Sequence, residues 1–308
     1  MSSTQPVHSP LSALDRASVW LNSAPLTADA LRGRVVLVDF WTYSCVNWLR
    51  TLPYVTAWHE RYGDHGLVVV GAHAPEFGFE HDLDNVQRAA RELGVDHPVV
   101  IDNDFAIWRS FENNYWPAVY LVDRDGRVRF HHFGEGAYEE TERAIQRLLS
   151  VDEETVRVDT GGLAEAADRD TLRSPETYLG YARGERRSDR SADELALNQW
   201  ALAGNWSLGE EAAVLEAAGG SITYRFQARD LNLVLAPPGS GAPVRFAVKL
   251  DGRPPGDGHG LDVDESGEGA VAEPRMYQLV RQRAVDAQRT FEVTFLDPGV
   301  RAYVLTFG

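Results

Sequence analysis

Sulfur is scarce in this chain: 308 residues carry one cysteine, Cys45, and two methionines. A lone cysteine excludes a disulfide framework within the chain. No apolar run approaches the ~18 to 20 residues that a membrane-crossing helix needs. Basic charge is also short, with 30 Lys and Arg against 46 Asp and Glu and a net charge of −16. A nucleic-acid partner is therefore not expected, because a polyanion is repelled at long range. The opening MSSTQPVHSPLSALDRASVW lacks a basic start followed by an apolar core. No secretory signal is read there, and the cytoplasm is the expected location.

What the chain does have changes in character along its length. Its size exceeds that of a usual single domain, so two are expected. In the first half, VVLVDFW at 35–41 and LVVVGA at 67–72 read as buried strands, and VVID at 99–102 as a short one. Leu49, Leu52, Val55 and Trp58 recur at helical spacing up to Gly63, as do Leu83, Val86, Ala90 and Leu93 up to Gly94. AVYLVDRDGRVRFHHFG reads as a hairpin, and a helix over 139–149 closes an α/β unit with a mostly parallel sheet. The next stretch is rich in Asp, Glu, Arg, Gly and Ser, which suits a linker. Beyond it the period becomes two: Ile222, Tyr224 and Phe226; Leu231, Leu233 and Leu235; Val244, Phe246, Val248 and Leu250; Phe291, Val293 and Phe295. Short alternating strands separated by turns indicate an all-β sandwich or jelly roll. The expected divisions are an N-terminal extension over 1–17, an α/β domain over 18–150, a linker over 151–175 and a sandwich over 176–308.

Cys45 follows a strand and opens a helix, where unpaired N–H groups and the helix dipole favour a thiolate. The alternative for a lone cysteine is a small buried hydrophobe. VDFWTYSC, with Asp39 upstream and Pro53 in the helix downstream, resembles the active-site region of the thioredoxin family. The resemblance implies a buried acid that assists proton transfer at Asp39 and a cis-proline at Trp116-Pro117 beside the sulfur. TYSCVNW, HAPEFGFEHD, NNYWPAVYLVD, SPETYLGYAR, ELALNQW and FLDPG, in that order, are similar to the soluble C-terminal portion of DipZ-type proteins. There a TlpA/AhpC-like redoxin domain precedes one resembling a carbohydrate-binding module. The chain departs from that pattern at Trp48, where a second cysteine belongs. Cys45 cannot then close an internal disulfide. Its oxidised form would be a sulfenic acid or a mixed disulfide, and an external low-molecular-weight thiol or thiol-redox protein must resolve it.

The candidate catalytic residues are Cys45 as nucleophile, Asp39 as proton-transfer partner and Thr42 as a peroxide contact of the kind peroxiredoxins place there. Trp48, Trp116 and Pro117 are expected to line a substrate groove, with packing as the alternative for Trp48. Trp200, Trp206 and Tyr224 are candidates for a platform on the sandwich that stacks a glycan or other flat ligand. No metal or cofactor is expected: His131 and His132 are adjacent in a strand and face opposite ways, and Asp257, Asp262, Asp264 and Glu265 fit no standard calcium loop. Two functions compete. One is a single-cysteine thiol oxidoreductase, and the other is a redox-degenerate binding or assembly protein that uses the sandwich.

Overall fold

The computed structural model describes residues 9–239 and 241–308, Ala192 by its backbone alone; residues 1–8 of the expected extension lie outside these. The chain divides into two units, Met1–Ala164 and Glu165–Gly308. Within the stretch read as a linker, Glu153 accepts from Arg61 and the Val156 N–H donates to Glu142, so this part belongs to the first unit. Glu165 instead pairs with Arg229 and Arg281 of the second.

The first unit runs β1 (Trp20–Leu21), β2 (Val35–Trp41), α1 (Val46–Tyr62), β3 (Leu67–His73), α2 (Leu83–Glu92), β4 (Val99–Ile101), α3 (Ala106–Ser110), β5 (Ala118–Val122), β6 (Val128–Phe133) and α4 (Tyr138–Leu149). Its sheet has the order β1-β4-β3-β2-β5-β6. Strands β2, β3 and β4 are parallel, and the β5–β6 hairpin continues the sheet antiparallel to β2. Strand β1 caps the other edge antiparallel to β4; at two residues it is too short to show a period. The alternation of β2 splits its apolar side chains between two cores. Val36, Val38 and Phe40 pack with Ile107 and Phe111, whereas Val35 and Leu37 pack with Val55, Trp58 and Ile145. Asp39 continues the second set, so the period of two turns this acid toward α1.

The second unit is a β-sandwich. Its strands are β7 (Thr177–Tyr178), β8 (Trp200–Ala203), β9 (Trp206–Leu208), β10 (Ala213–Leu215), β11 (Ser221–Phe226), β12 (Asp230–Ala236), β13 (Val244–Leu250), β14 (Glu268–Val271), β15 (Arg275–Arg281), β16 (Arg289–Phe295) and β17 (Arg301–Phe307). One sheet has the order β15-β12-β17-β10-β9, with β7 paired to β17, and the other β14-β13-β16-β11-β8. These strands pair with one another antiparallel throughout. Alternating residues such as Val244, Phe246, Val248 and Leu250 point into one shared core. That core corrects the expected platform. Trp200 and Tyr224 are interior residues, 1% and 0% exposed. The Trp200 indole donates to the Glu185 carbonyl, and the Tyr224 hydroxyl bonds Thr177. A stacking platform needs open ring faces, and of the three only Trp206 keeps part of its surface open.

Candidate functional site

Strand β2 ends at Trp41, and a tight turn carries the chain into α1. The Cys45 N–H donates to the Thr42 carbonyl at 3.2 Å, and the Cys45 carbonyl accepts from the Leu49 N–H at 3.0 Å. Cys45 is thereby the N-cap of α1, in extended conformation and without a side-chain capping bond. It is half-buried, and its Sγ lies 3.9 Å from the Trp116 carbonyl oxygen. The Trp116–Pro117 peptide is cis. The Trp116 indole donates to the Ala74 carbonyl at 3.0 Å, tying this loop to the end of β3. Cys45, Trp116 and Pro117 thus meet, with the sulfur at the helix terminus where negative charge is favoured.

Trp48 is not part of that groove. It has no exposed surface, its ring stacks on Trp41 at 4.2 Å, and its indole N–H donates to Asp39 Oδ2 at 2.9 Å. The physical reason is the helix itself: a residue three positions after an N-cap can face back onto the sheet, where the Asp39 carboxyl accepts from its indole. Burial raises the Asp39 carboxyl to about 7, against the opposing pull of the Trp48 hydrogen bond. The other carboxyl oxygen, Oδ1, has no hydrogen-bond partner. Asp39 therefore has no direct bond to Cys45, and the residue in the resolving position engages the acid instead. Thr42 is also displaced from its expected role. It is fully buried and its hydroxyl makes no hydrogen bond. It lies within electrostatic reach of Glu80 but outside bonding geometry.

The residue that the sequence reading missed is Glu80, in the loop between β3 and α2. It is wholly buried and accepts from the Ser44 hydroxyl at 2.6 Å and the Glu76 and Phe77 amides at 2.6 and 3.0 Å. Burial raises this carboxyl to about 7 as well, opposed by the Ser44 and Thr42 hydroxyls and the Phe77 amide. The available signal was the acid-bearing HAPEFGFEHD, whose periodicity does not reveal burial. Arg50, also buried, pairs with Glu135 at 3.4 Å on the next turn of α1.

Two buried histidines complete the polar interior. Burial lowers His73 to about 3 and His97 to about 4. Gly71 makes room for Trp41 and His97: a Cβ there would lie 2.8 Å from Trp41 Nε1 and 3.1 Å from His97 Nε2. Among the described residues no group of three His, Cys, Asp or Glu side chains is placed to hold a metal ion.

A thiol at the N-cap of a strand–turn–helix, opposite a cis-proline loop, is a thioredoxin-like arrangement. Residues 12–149 match the family described as Redoxin, and residues 174–308 match the one described as Thioredoxin like C-terminal domain. Residues 12–149 therefore belong to the thioredoxin-like redoxin family, and residues 174–308 to that of the thioredoxin-like C-terminal domain. Protein DipZ of Mycobacterium tuberculosis is 37% identical over 252 residues, 76% of this chain. The chain spans only 35% of that relative's length. Thiol-disulfide oxidoreductase YkuV of Bacillus subtilis is 28% identical over 141 residues, covering 46% of this chain and 95% of the relative. A solution structure of a thioredoxin-like protein in the oxidized form is 29% identical with a TM-score of 0.42, covering 48% of this chain and all of that one. No helix among the described residues is long and apolar enough to cross a membrane.

Proposed function

We propose that this protein is a single-cysteine thiol–disulfide oxidoreductase. The observation that carries the reading is the placement of the Cys45 sulfur. It sits half-buried at the helix N-cap against the Trp116–Pro117 loop, while buried Trp48 fills the position of a resolving thiol. The Cys45 thiolate attacks one sulfur of a substrate disulfide, forms a mixed disulfide and expels the other sulfur as a thiolate. An external thiolate then attacks the mixed disulfide and leaves with the substrate sulfur, and Cys45 returns as thiolate. The resolving group is a low-molecular-weight thiol or a thiol-redox protein. Likeness to YkuV, whose name describes this chemistry, supports the class. Disulfide exchange is favoured over peroxide reduction because the Thr42 hydroxyl has no exposed surface and makes no hydrogen bond.

The test is incubation of the full chain with glutathione disulfide, followed by intact mass and peptide mapping. One glutathione per chain on Cys45, released by added dithiothreitol, is expected. Absence of the adduct at every pH from about 6 to 9 overturns the reading, since a reactive thiolate is populated somewhere in that window.

A further inference from the structure

The Glu80 carboxyl has no exposed surface, yet three donors converge on it. Two are amides of its own loop. The third is the hydroxyl of Ser44, the residue immediately before Cys45. A serine hydroxyl rotates freely unless an acceptor fixes it, and here a 2.6 Å bond to a buried carboxyl does so. The same turn is closed by the Cys45 N–H on the Thr42 carbonyl. Glu80 thus fastens the loop between β3 and α2 to the turn that carries the sulfur.

We propose that Glu80 is a positioning residue for Cys45: through Ser44 it fixes the turn that presents the thiol, and its charge sets the pH at which the thiol reacts. The proposal rests on the thiol chemistry above. The groups facing Glu80 are the Ser44 and Thr42 hydroxyls from the turn, and the Phe77 amide and Glu76 on its own loop, whose carboxylate raises it further. An ionised Glu80 one residue away from the sulfur disfavours the thiolate, as like charges do at close range. A neutral Glu80 relieves it.

The experiment is the rate of Cys45 alkylation by iodoacetamide across pH for the wild type, E80Q and S44A. E80Q keeps an acceptor for Ser44 and removes the charge. Its profile is expected to move to lower pH, with about threefold faster alkylation at pH 7 and an unchanged plateau at high pH. S44A leaves the carboxyl in place and cuts the tether, so its plateau falls at high pH, where Glu80 is ionised in both proteins. E80Q and wild-type profiles that superimpose overturn the charge coupling, and an S44A plateau equal to the wild type overturns the tether. Should E80Q fail to fold, S44A decides the tether and the wild-type profile decides the coupling: a single thiol ionisation with no inflection near pH 7 overturns it. A wild-type Cys45 that is unreactive at every pH instead overturns the thiol chemistry, and with it any role for Glu80.

Discussion

Asp39 and Asp230 are the same residue, each with no exposed surface, and the two units treat them in opposite ways. Asp230 opens β12 between two guanidinium groups, with Arg229 Nη2 at 2.7 Å and Arg281 Nε at 2.9 Å. Both arginines reach on to Glu165, at 2.8 and 2.9 Å. Asp39 has one neutral indole N–H, and its second oxygen has no partner. A buried carboxylate is tolerated when its charge is matched and becomes a proton holder near neutrality when it is not. Uncompensated groups of this kind gather at functional sites. In the first unit Asp39 and Glu80 accept from Trp48 and Ser44, the residues three after and one before Cys45, whereas in the second the buried acid closes a structural network. The difference lies in what surrounds each residue rather than in the residue itself.

The most disruptive way to probe the contrast is Trp48→Cys. It removes the stack on Trp41 and the donor to Asp39, at a cost of about 4 kcal/mol in unfolding free energy. It also sets a second thiol three residues after Cys45, where the two can meet. Oxidation is expected to yield an internal disulfide in the variant, read as the loss of two hydrogens by mass spectrometry. A variant that folds but stays a dithiol under oxidant would show that more than Trp48 blocks the dithiol mechanism. Asp230→Asn comes next. It leaves two guanidiniums facing each other beside Glu165, and a loss of about 3 kcal/mol is expected in urea unfolding. A loss below about 1 kcal/mol would mean that water already shares the network and that Asp230 is not the structural counterpart drawn above.

The pH dependence sharpens the comparison further. His73 and His97 are lowered to about 3 and 4. Their stabilisation is therefore present above the unfolded value of about 6.5 and is lost as pH falls toward the folded values. Asp39 and Glu80 are both raised to about 7. Their contribution is present below the unfolded values near 4 and is lost as pH rises through 7. Between about pH 5 and 6.5 the unfolded state holds two protons on the histidines and the native state two on the acids, so these four groups cancel. Asp39→Asn breaks the cancellation. Stability of the variant is expected to rise with pH by about 1.4 kcal/mol per unit across that window relative to the wild type. Parallel curves of denaturant midpoint against pH for the two proteins would place the Asp39 proton elsewhere.

Most of this architecture is legible in the residues. The apolar run at 35–41 marks a strand buried on both faces, and the period of two beyond residue 220 marks the sandwich, because these patterns follow from geometry that every strand obeys. The cis peptide at Pro117 was legible only through the family pattern. The sequence leaves Trp48 open between groove and packing, since indole spacing does not say which way a ring turns; the fold turns it inward onto Asp39. Trp200 and Tyr224 misled for the same reason, as an aromatic in an alternating strand reads alike on either face. Glu80 was illegible because the burial of a loop acid is decided by tertiary contact, with Ser44 36 residues away in sequence.

The smallest expected effect concerns Cys45 itself. Cysteine is a weak hydrogen-bonding group, and here it stands at an N-cap without capping the helix. Serine is among the preferred residues at that position because its oxygen accepts from the first-turn amides. Cys45→Ser should therefore leave stability unchanged or raise it by about 0.5 kcal/mol, while abolishing the glutathione adduct altogether. The helix would lose nothing by the exchange, which argues that the sulfur is there for its reactivity. A loss of more than about 1 kcal/mol in denaturant unfolding of C45S would reverse that conclusion and make Cys45 a packing residue of the kind a lone cysteine usually is.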